Sequence, residues 1–224
     1  LLEVQEAKKP FVRKLLRWGR ANQRDFPWRH ERDPFRVLVA EVLLQRSRGV
    51  TVAKVYEQLF GRWPDAAALA AADVEAIRDV IRPLGLTRRA EQLQKLASQV
   101  VGLGGVPRSA EDMLRFSGVG RYAASATASA VFQQRQPTVD GTSARVYRRY
   151  FGLHGDRDAQ VDDEVWELVA AAMPSVGTRE WNWAVLDLAA QICLPKVPRC
   201  PECPLQTDCF VGRSRTLVSE TPKT

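Results

Sequence analysis

The chain has 224 residues, 45% of them hydrophobic, which is enough for the core of one large domain or two small ones and makes intrinsic disorder a poor default. Its 33 lysines and arginines against 26 aspartates and glutamates give a formal net charge of +7, which favours a polyanionic partner without choosing between nucleic acid and membrane. No apolar run reaches the roughly 18 residues of a membrane span, and the N-terminus lacks a signal-peptide pattern, so a cytoplasmic protein with no membrane partner is expected. The first residue is Leu1 rather than methionine, which leaves a preceding segment open.

Helix signals dominate in chain order. Apolar periodicity runs from Pro10 to Ala21, and Asp33-Pro34 supplies an N-cap and an N1 proline before the apolar run Phe35 to Leu44. Amphipathic helices are predicted at about 51–60, 65–71, 73–82 and 88–102, punctuated by Gly61, Pro64, Pro83, Gly85 and the pair Gly104-Gly105. Ser109-Ala-Glu-Asp112 resembles a capping box for a helix through Arg115. Gly118-Val-Gly120 then breaks the pattern before a small-residue helix from Arg121 to Phe132. After the loop containing Pro137, helices are expected near 142–151, 162–173 and 178–191, and the stretch beyond Phe210 reads as a loosely ordered polar tail. Neither strand alternation nor a solenoid repeat is visible, so the fold class is all-α.

Cys193, Cys200, Cys203 and Cys209 form a C-x6-C-x2-C-x5-C pattern interleaved with Pro195, Pro198, Pro201 and Pro204. A secreted disulfide scaffold would distribute its cysteines, whereas four soft sulfurs in one short stretch suit a metal centre. Ligand chemistry alone leaves an iron-sulfur cluster and a tetrahedral zinc ion about equally placed. Phe116-Ser-Gly-Val-Gly-Arg-Tyr122 is either an ordinary interhelical turn or a glycine hairpin whose backbone N–H groups approach a phosphate. Glu41 interrupts Val37-Leu-Val-Ala-Glu-Val-Leu-Leu44. It is either a solvated point or a carboxyl held between apolar walls, where a raised pKa would let it donate a proton. Asp140-Gly141 by itself reads as a turn.

Taken in this order, these motifs resemble the helix-hairpin-helix DNA glycosylases of the endonuclease III and MutY superfamily, over about Arg24 to Phe210. The cysteine spacing matches that family's cluster loop, which implies a [4Fe-4S] cofactor with zinc as the alternative. The resemblance makes Gly118, Val119 and Gly120 a DNA-gripping hairpin, although Phe116-Ser117 replaces the usual Leu-Pro before it. Pro34-Phe-Arg-Val-Leu-Val-Ala-Glu-Val-Leu-Leu-Gln45 looks like the catalytic-glutamate helix of MutY and of thymine mismatch glycosylases. That similarity implies that Glu41 assists the leaving base and that Asp140 stabilises positive charge developing on the sugar. Thr142 stands where both kinds of relative carry asparagine. Tyr122 occupies the position of the lysine that attacks the sugar in endonuclease III relatives. A tyrosine forms no imine, so a monofunctional enzyme without lyase activity is expected.

Two positions bear on the base removed. MutY-type enzymes carry a second glutamine after Gln45 and a tyrosine after Leu84-Gly85, whereas Arg46 and Leu86 are similar to the thymine mismatch (Mig-type) glycosylases. The expected substrate is double-stranded DNA with thymine or uracil opposite guanine, with Gln45, Arg46 and Leu86 in contact with it. Two alternatives stand: an adenine glycosylase acting opposite 8-oxoguanine, and a non-catalytic DNA-damage-binding protein. The resemblance implies a six-helix barrel lobe over 25–131 with its hairpin at 109–131. A cluster lobe would combine 1–24 with 132–212, leaving 213–224 as tail and bringing Glu41 and Asp140 together across a groove. A monomer is expected, nucleoid-associated in a prokaryote, with a downstream abasic-site endonuclease. Arg88, Arg89, Arg145, Arg148 and Arg149 are read as an electrostatic track for DNA, with Lys196 and Arg199 presented by the cluster loop.

Overall fold

The computed structural model describes residues 2–85, 87–155 and 157–219, and the side chains of 6–85, 87–155 and 157–214. Its helices are α1 (Leu2–Asn22), α2 (Pro27–His30), α3 (Pro34–Leu44), α4 (Gly49–Arg62), α5 (Ala66–Ala70), α6 (Val74–Ile81) and α7 (Arg89–Gly102). They continue with α8 (Ala110–Met113), α9 (Arg121–Phe132), α10 (Gly141–Phe151), α11 (Asp163–Ala172), α12 (Thr178–Gln191) and α13 (Phe210–Ser219). No strand occurs among the described residues, so the all-α expectation holds. No helix of the described residues is long and apolar enough to cross a membrane. The chain divides into two compact units, one of residues 25–134 and one that joins 1–24 to 135–224.

In the central unit, helix starts are set by short acidic side chains. Asp33 accepts from the Phe35 amide at 2.8 Å, Asp65 from Ala68 at 2.8 Å and Asp73 from Ala76 at 3.0 Å, each satisfying a donor that the first helical turn leaves unpaired. Helix α3 is buried on nearly every side, from Phe35 and Val37 through Leu43. It packs on α9, whose Ala123, Ala124 and Ala128 carry too little bulk to hold the two backbones apart. Helix α8 ends at Met113 rather than near Arg115. Ser109 Oγ accepts from the Asp112 amide, and turns then lead into the hairpin.

The discontinuous unit is organised around α1 lying on α12. A Cβ on Gly19 would stand 2.6 Å from the Ala184 Cβ, so only glycine permits this approach. Phe11 fills the centre, its ring centroid 4.5 Å from Tyr150 and 6.0 Å from Trp181. Helix α1 begins eight residues before the expected start and carries Pro10 internally. Tertiary bonds hold its early turns, because Lys8 Nζ donates to the Ala171 carbonyl at 2.8 Å and Tyr150 Oη to that of Ala7 at 3.1 Å. Where a polar tail was expected, α13 follows the last cysteine. Its Phe210 ring sits on Gly152, where a Cβ would come within 2.9 Å of the ring.

Candidate active site

Glu41 lies in the middle of α3 and is only 5% exposed, between Ala40 and Val42, which are buried as well. Of the two sequence readings, the carboxyl held between apolar walls is the one observed. In the other unit, Asp140 is the half-buried N-cap of α10. Its Oδ1 accepts from the amides of Thr142 at 3.0 Å and Ser143 at 2.6 Å, while Ser143 Oγ accepts from the Asp140 amide at 2.9 Å. This capping box commits Oδ1 to the helix and leaves Oδ2 without a hydrogen bond among the described residues. Thr142 thus contributes through its backbone, which asparagine would supply equally. Tyr147, two turns along α10, is fully buried, and its Oη has no hydrogen-bond partner among the described residues. Burial and then the Asp140 carboxylate push that phenol well above its ordinary range.

The hairpin joins α8 to α9. Gly118 takes φ +76°, a left-handed conformation that side-chain-bearing residues adopt at a cost, and the Val119 amide donates to the Phe116 carbonyl at 3.2 Å. Val119 is buried and anchors the turn, while Gly120 is the N-cap of α9. Tyr122 is half-buried in the first turn of α9. In the same unit, α3 ends in a turn of Gln45, Arg46 and Ser47, with Arg46 exposed at φ +57°. Gln45 Nε2 donates to the Gly118 carbonyl at 3.0 Å and so ties this turn to the hairpin. Leu86 lies outside the described residues.

The four cysteines line a single cavity of about 30 Å³ together with Arg149, Ile192, Pro198 and Gly212. Arg149 Nη1 donates to Cys193 Sγ at 3.4 Å and the Gly212 amide to Cys209 Sγ at 3.3 Å. Burial pushes the Cys203 thiol up to about 12 and raises that of Cys209, and the neighbouring cysteine sulfurs add to both shifts. Sulfurs that repel one another in an apolar cavity while receiving N–H donors fit a cationic centre that would hold them as thiolates. Among the described residues, no three histidine, cysteine, aspartate or glutamate side chains stand in the arrangement of a metal-holding group.

Residues 39–171 match the model of the HhH-GPD superfamily base excision DNA repair proteins. The chain belongs to that family. It is 34% identical over 209 residues to a thymine/uracil-DNA glycosylase of Methanothermobacter thermautotrophicus, covering 92% of this chain and 95% of the relative. It is 35% identical to the adenine DNA glycosylase of Homo sapiens over 92% of this chain, but that match spans 39% of the human protein. Among solved structures, a thermostable thymine-DNA glycosylase superposes with TM-score 0.87 at 33% identity, covering 94% of this chain and 98% of that one. Endonuclease III trapped in a covalent DNA intermediate superposes with TM-score 0.80 at 25% identity, covering 92% and 95%. Like these members of the HhH-GPD superfamily, the chain is a DNA glycosylase, an enzyme that hydrolyses the N-glycosidic bond.

Within this HhH-GPD protein most of the arginines read as an electrostatic track turn inward instead. Arg145 donates to the carbonyls of Cys193 at 2.9 Å and Ala189 at 3.0 Å, and Arg149 to those of Leu194 at 2.7 Å and Pro195 at 2.6 Å. Both hold the cysteine loop against α10. Arg148 pairs with Asp162 and donates to the Arg157 carbonyl at 2.8 Å. Arg89 is buried against the end of α3. The physical reason is shared: a planar guanidinium can satisfy several backbone carbonyls at once, and helix ends and loops supply them. Arg88, Lys196 and Arg199 remain exposed. Sequence reasoning also missed the pair of half-buried Arg24 Nε with fully buried Asp187 Oδ1 at 2.6 Å, because nothing in α12 distinguishes Asp187 from a solvated aspartate.

Proposed function

We propose that this HhH-GPD enzyme is a monofunctional mismatch glycosylase that removes thymine or uracil opposite guanine and leaves an abasic site in base excision repair. The observation that carries the choice of base is Arg46, exposed at the end of the helix that holds Glu41 and set in a left-handed turn. An arginine there enters the gap left when a weakly paired pyrimidine is flipped out, with Leu86 as a second wedge. MutY-type relatives are similar over much of this chain and support adenine as the second reading, but the residues at 46 and 86 differ from their glutamine and tyrosine.

In this reading Glu41 delivers a proton to the departing base from its apolar surroundings, and Asp140 Oδ2 stabilises the oxocarbenium-like sugar, Oδ1 being committed to α10. Gly118, Val119 and Gly120 grip a phosphate by backbone N–H donors without regard to sequence. Tyr122 offers no amine to form an imine with the sugar, so water adds to C1′ as the base leaves, giving up a proton, and the abasic strand stays intact. Cys193, Cys200, Cys203 and Cys209 would hold a [4Fe-4S] cluster, which supplies structural cross-linking of the loop bearing Lys196 and Arg199. The enzyme acts as a monomer on double-stranded DNA and hands its abasic product to a separate endonuclease.

The test is a panel of end-labelled duplexes containing G:T, G:U and adenine opposite 8-oxoguanine, scored for breakage before and after alkali. Breakage of G:T and G:U strands only after alkali is expected. Cleavage confined to the adenine duplex establishes the second reading, breakage without alkali overturns the monofunctional assignment, and no base release from any duplex leaves a DNA-binding protein.

A further inference from the structure

The turn that carries Arg46 is held from beneath. Arg89, 7% exposed in the first turn of α7, donates from Nη1 to the Leu43 carbonyl at 3.0 Å and to Ser47 Oγ at 3.3 Å, and from Nη2 to the Gln45 carbonyl. Its acceptors are neutral, with no carboxylate partner among the described residues, and the carbonyls at the end of α3 provide the negative end of a helix dipole instead. Burying a guanidinium costs free energy that a simple loop would not require. Burial, followed by the charge of Arg46, lowers the pKa of Arg89, so the two guanidiniums repel. Arg46 meanwhile holds a left-handed backbone, φ +57°, that is strained for a residue with a side chain. A buried cation and a strained backbone meet in one turn, and that turn is bonded to the hairpin through Gln45 and Gly118.

We infer that Arg89 is a positioning residue for Arg46. It clamps the Leu43 and Gln45 carbonyls before Arg46 and the Ser47 hydroxyl after it, so that the Arg46 side chain is aimed outward in fixed register with the phosphate-gripping hairpin. The inference rests on the preceding reading, in which Arg46 enters the base stack. A lysine at 89 keeps the charge but loses the fork that spans Leu43, Gln45 and Ser47.

The experiment is a double-variant cycle on the full chain, with base release measured under single turnover. Fluorescence of 2-aminopurine placed beside a G:T mismatch reports unstacking. Misplacing an inserted group by about 1 Å costs on the order of 100-fold, so Arg89→Lys is expected to slow release by about that factor and to suppress the fluorescence rise. In an Arg46→Ala background the same change should add less than about 3-fold, because its effect passes through Arg46. Losses that multiply in the double variant, or an Arg89→Lys enzyme with full rate and full fluorescence, overturn the inference. Arg46→Ala that leaves rate and fluorescence unchanged defeats the underlying reading instead. Should Arg89→Lys fail to fold, Ser47→Ala removes one contact of the clamp and carries the same cycle.

Discussion

At Asp140 one oxygen caps α10 and the other is left for chemistry, so substitutions separate the two roles. Asparagine caps a helix about as well as aspartate, and Asp140→Asn should therefore melt near the parent temperature while losing on the order of 100- to 1000-fold in single-turnover base release. Full activity in that variant would refute the catalytic assignment. Glu41→Gln keeps the buried volume and removes the proton, and a loss on the order of 100-fold or more in base release on G:T is expected, with binding of the duplex preserved. Arg148 offers a prediction in pH. Its hydrogen bond holds the Asp162 carboxyl below the ordinary value of 3.8. A depressed carboxyl stabilises the fold above its unfolded value, and that contribution disappears as the pH falls through the lower folded value. Thermal unfolding between pH 5 and pH 2 should thus fall less steeply for Arg148→Met than for the parent, and parallel profiles would show that the pair contributes nothing.

Among elements, the hairpin gains its shape from one glycine. Gly118 sits at φ +76°, and a Cβ there would find only ordinary contact with Gln92, at 3.6 Å, so Gly118→Ala tests backbone strain with little steric confusion. It should cost about 1 kcal/mol of stability and weaken mismatched and fully paired duplexes alike, since a phosphate grip reads no sequence. Titrations in which only the mismatched duplex suffers would place the hairpin in base recognition. Helix α3 shows how one element serves two purposes: its apolar faces build the core of the central unit, and the one polar side chain it buries is Glu41.

For the whole molecule, the cysteine loop joins helices distant in sequence. Arg145 and Arg149 of α10 hold its carbonyls, and Lys14 of α1 donates to Thr207 Oγ1 at 2.7 Å and Asp208 Oδ2 at 2.5 Å. Its cross-link should therefore stabilise the unit of 1–24 and 135–224. Purified protein is expected to be brown, with about four iron atoms per chain, and to lose thermal stability when the iron is removed by oxidation and chelation. Colourless protein with stoichiometric zinc would sink the cluster assignment.

What the sequence determined by itself was local. Asp33-Pro34, the aspartates before α5 and α6, Gly118-Val-Gly120 and the cysteine spacing are short-range signals whose chemistry acts within a turn or two, and each can be read without knowing its neighbours. The family, too, was legible, because the ordered series of motifs is carried by the chain itself. Tertiary structure decided the rest. Pro10 inside α1 is tolerated because distant groups bond the early turns, and α13 forms where Phe210 finds Gly152. Glu41 could be judged buried only once α3 was seen enclosed. The arginines show the limit most plainly: a guanidinium on a helix looks the same in sequence whether it meets solvent or several carbonyls. Only the path of the backbone assigned Arg89, Arg145 and Arg149 to the second case.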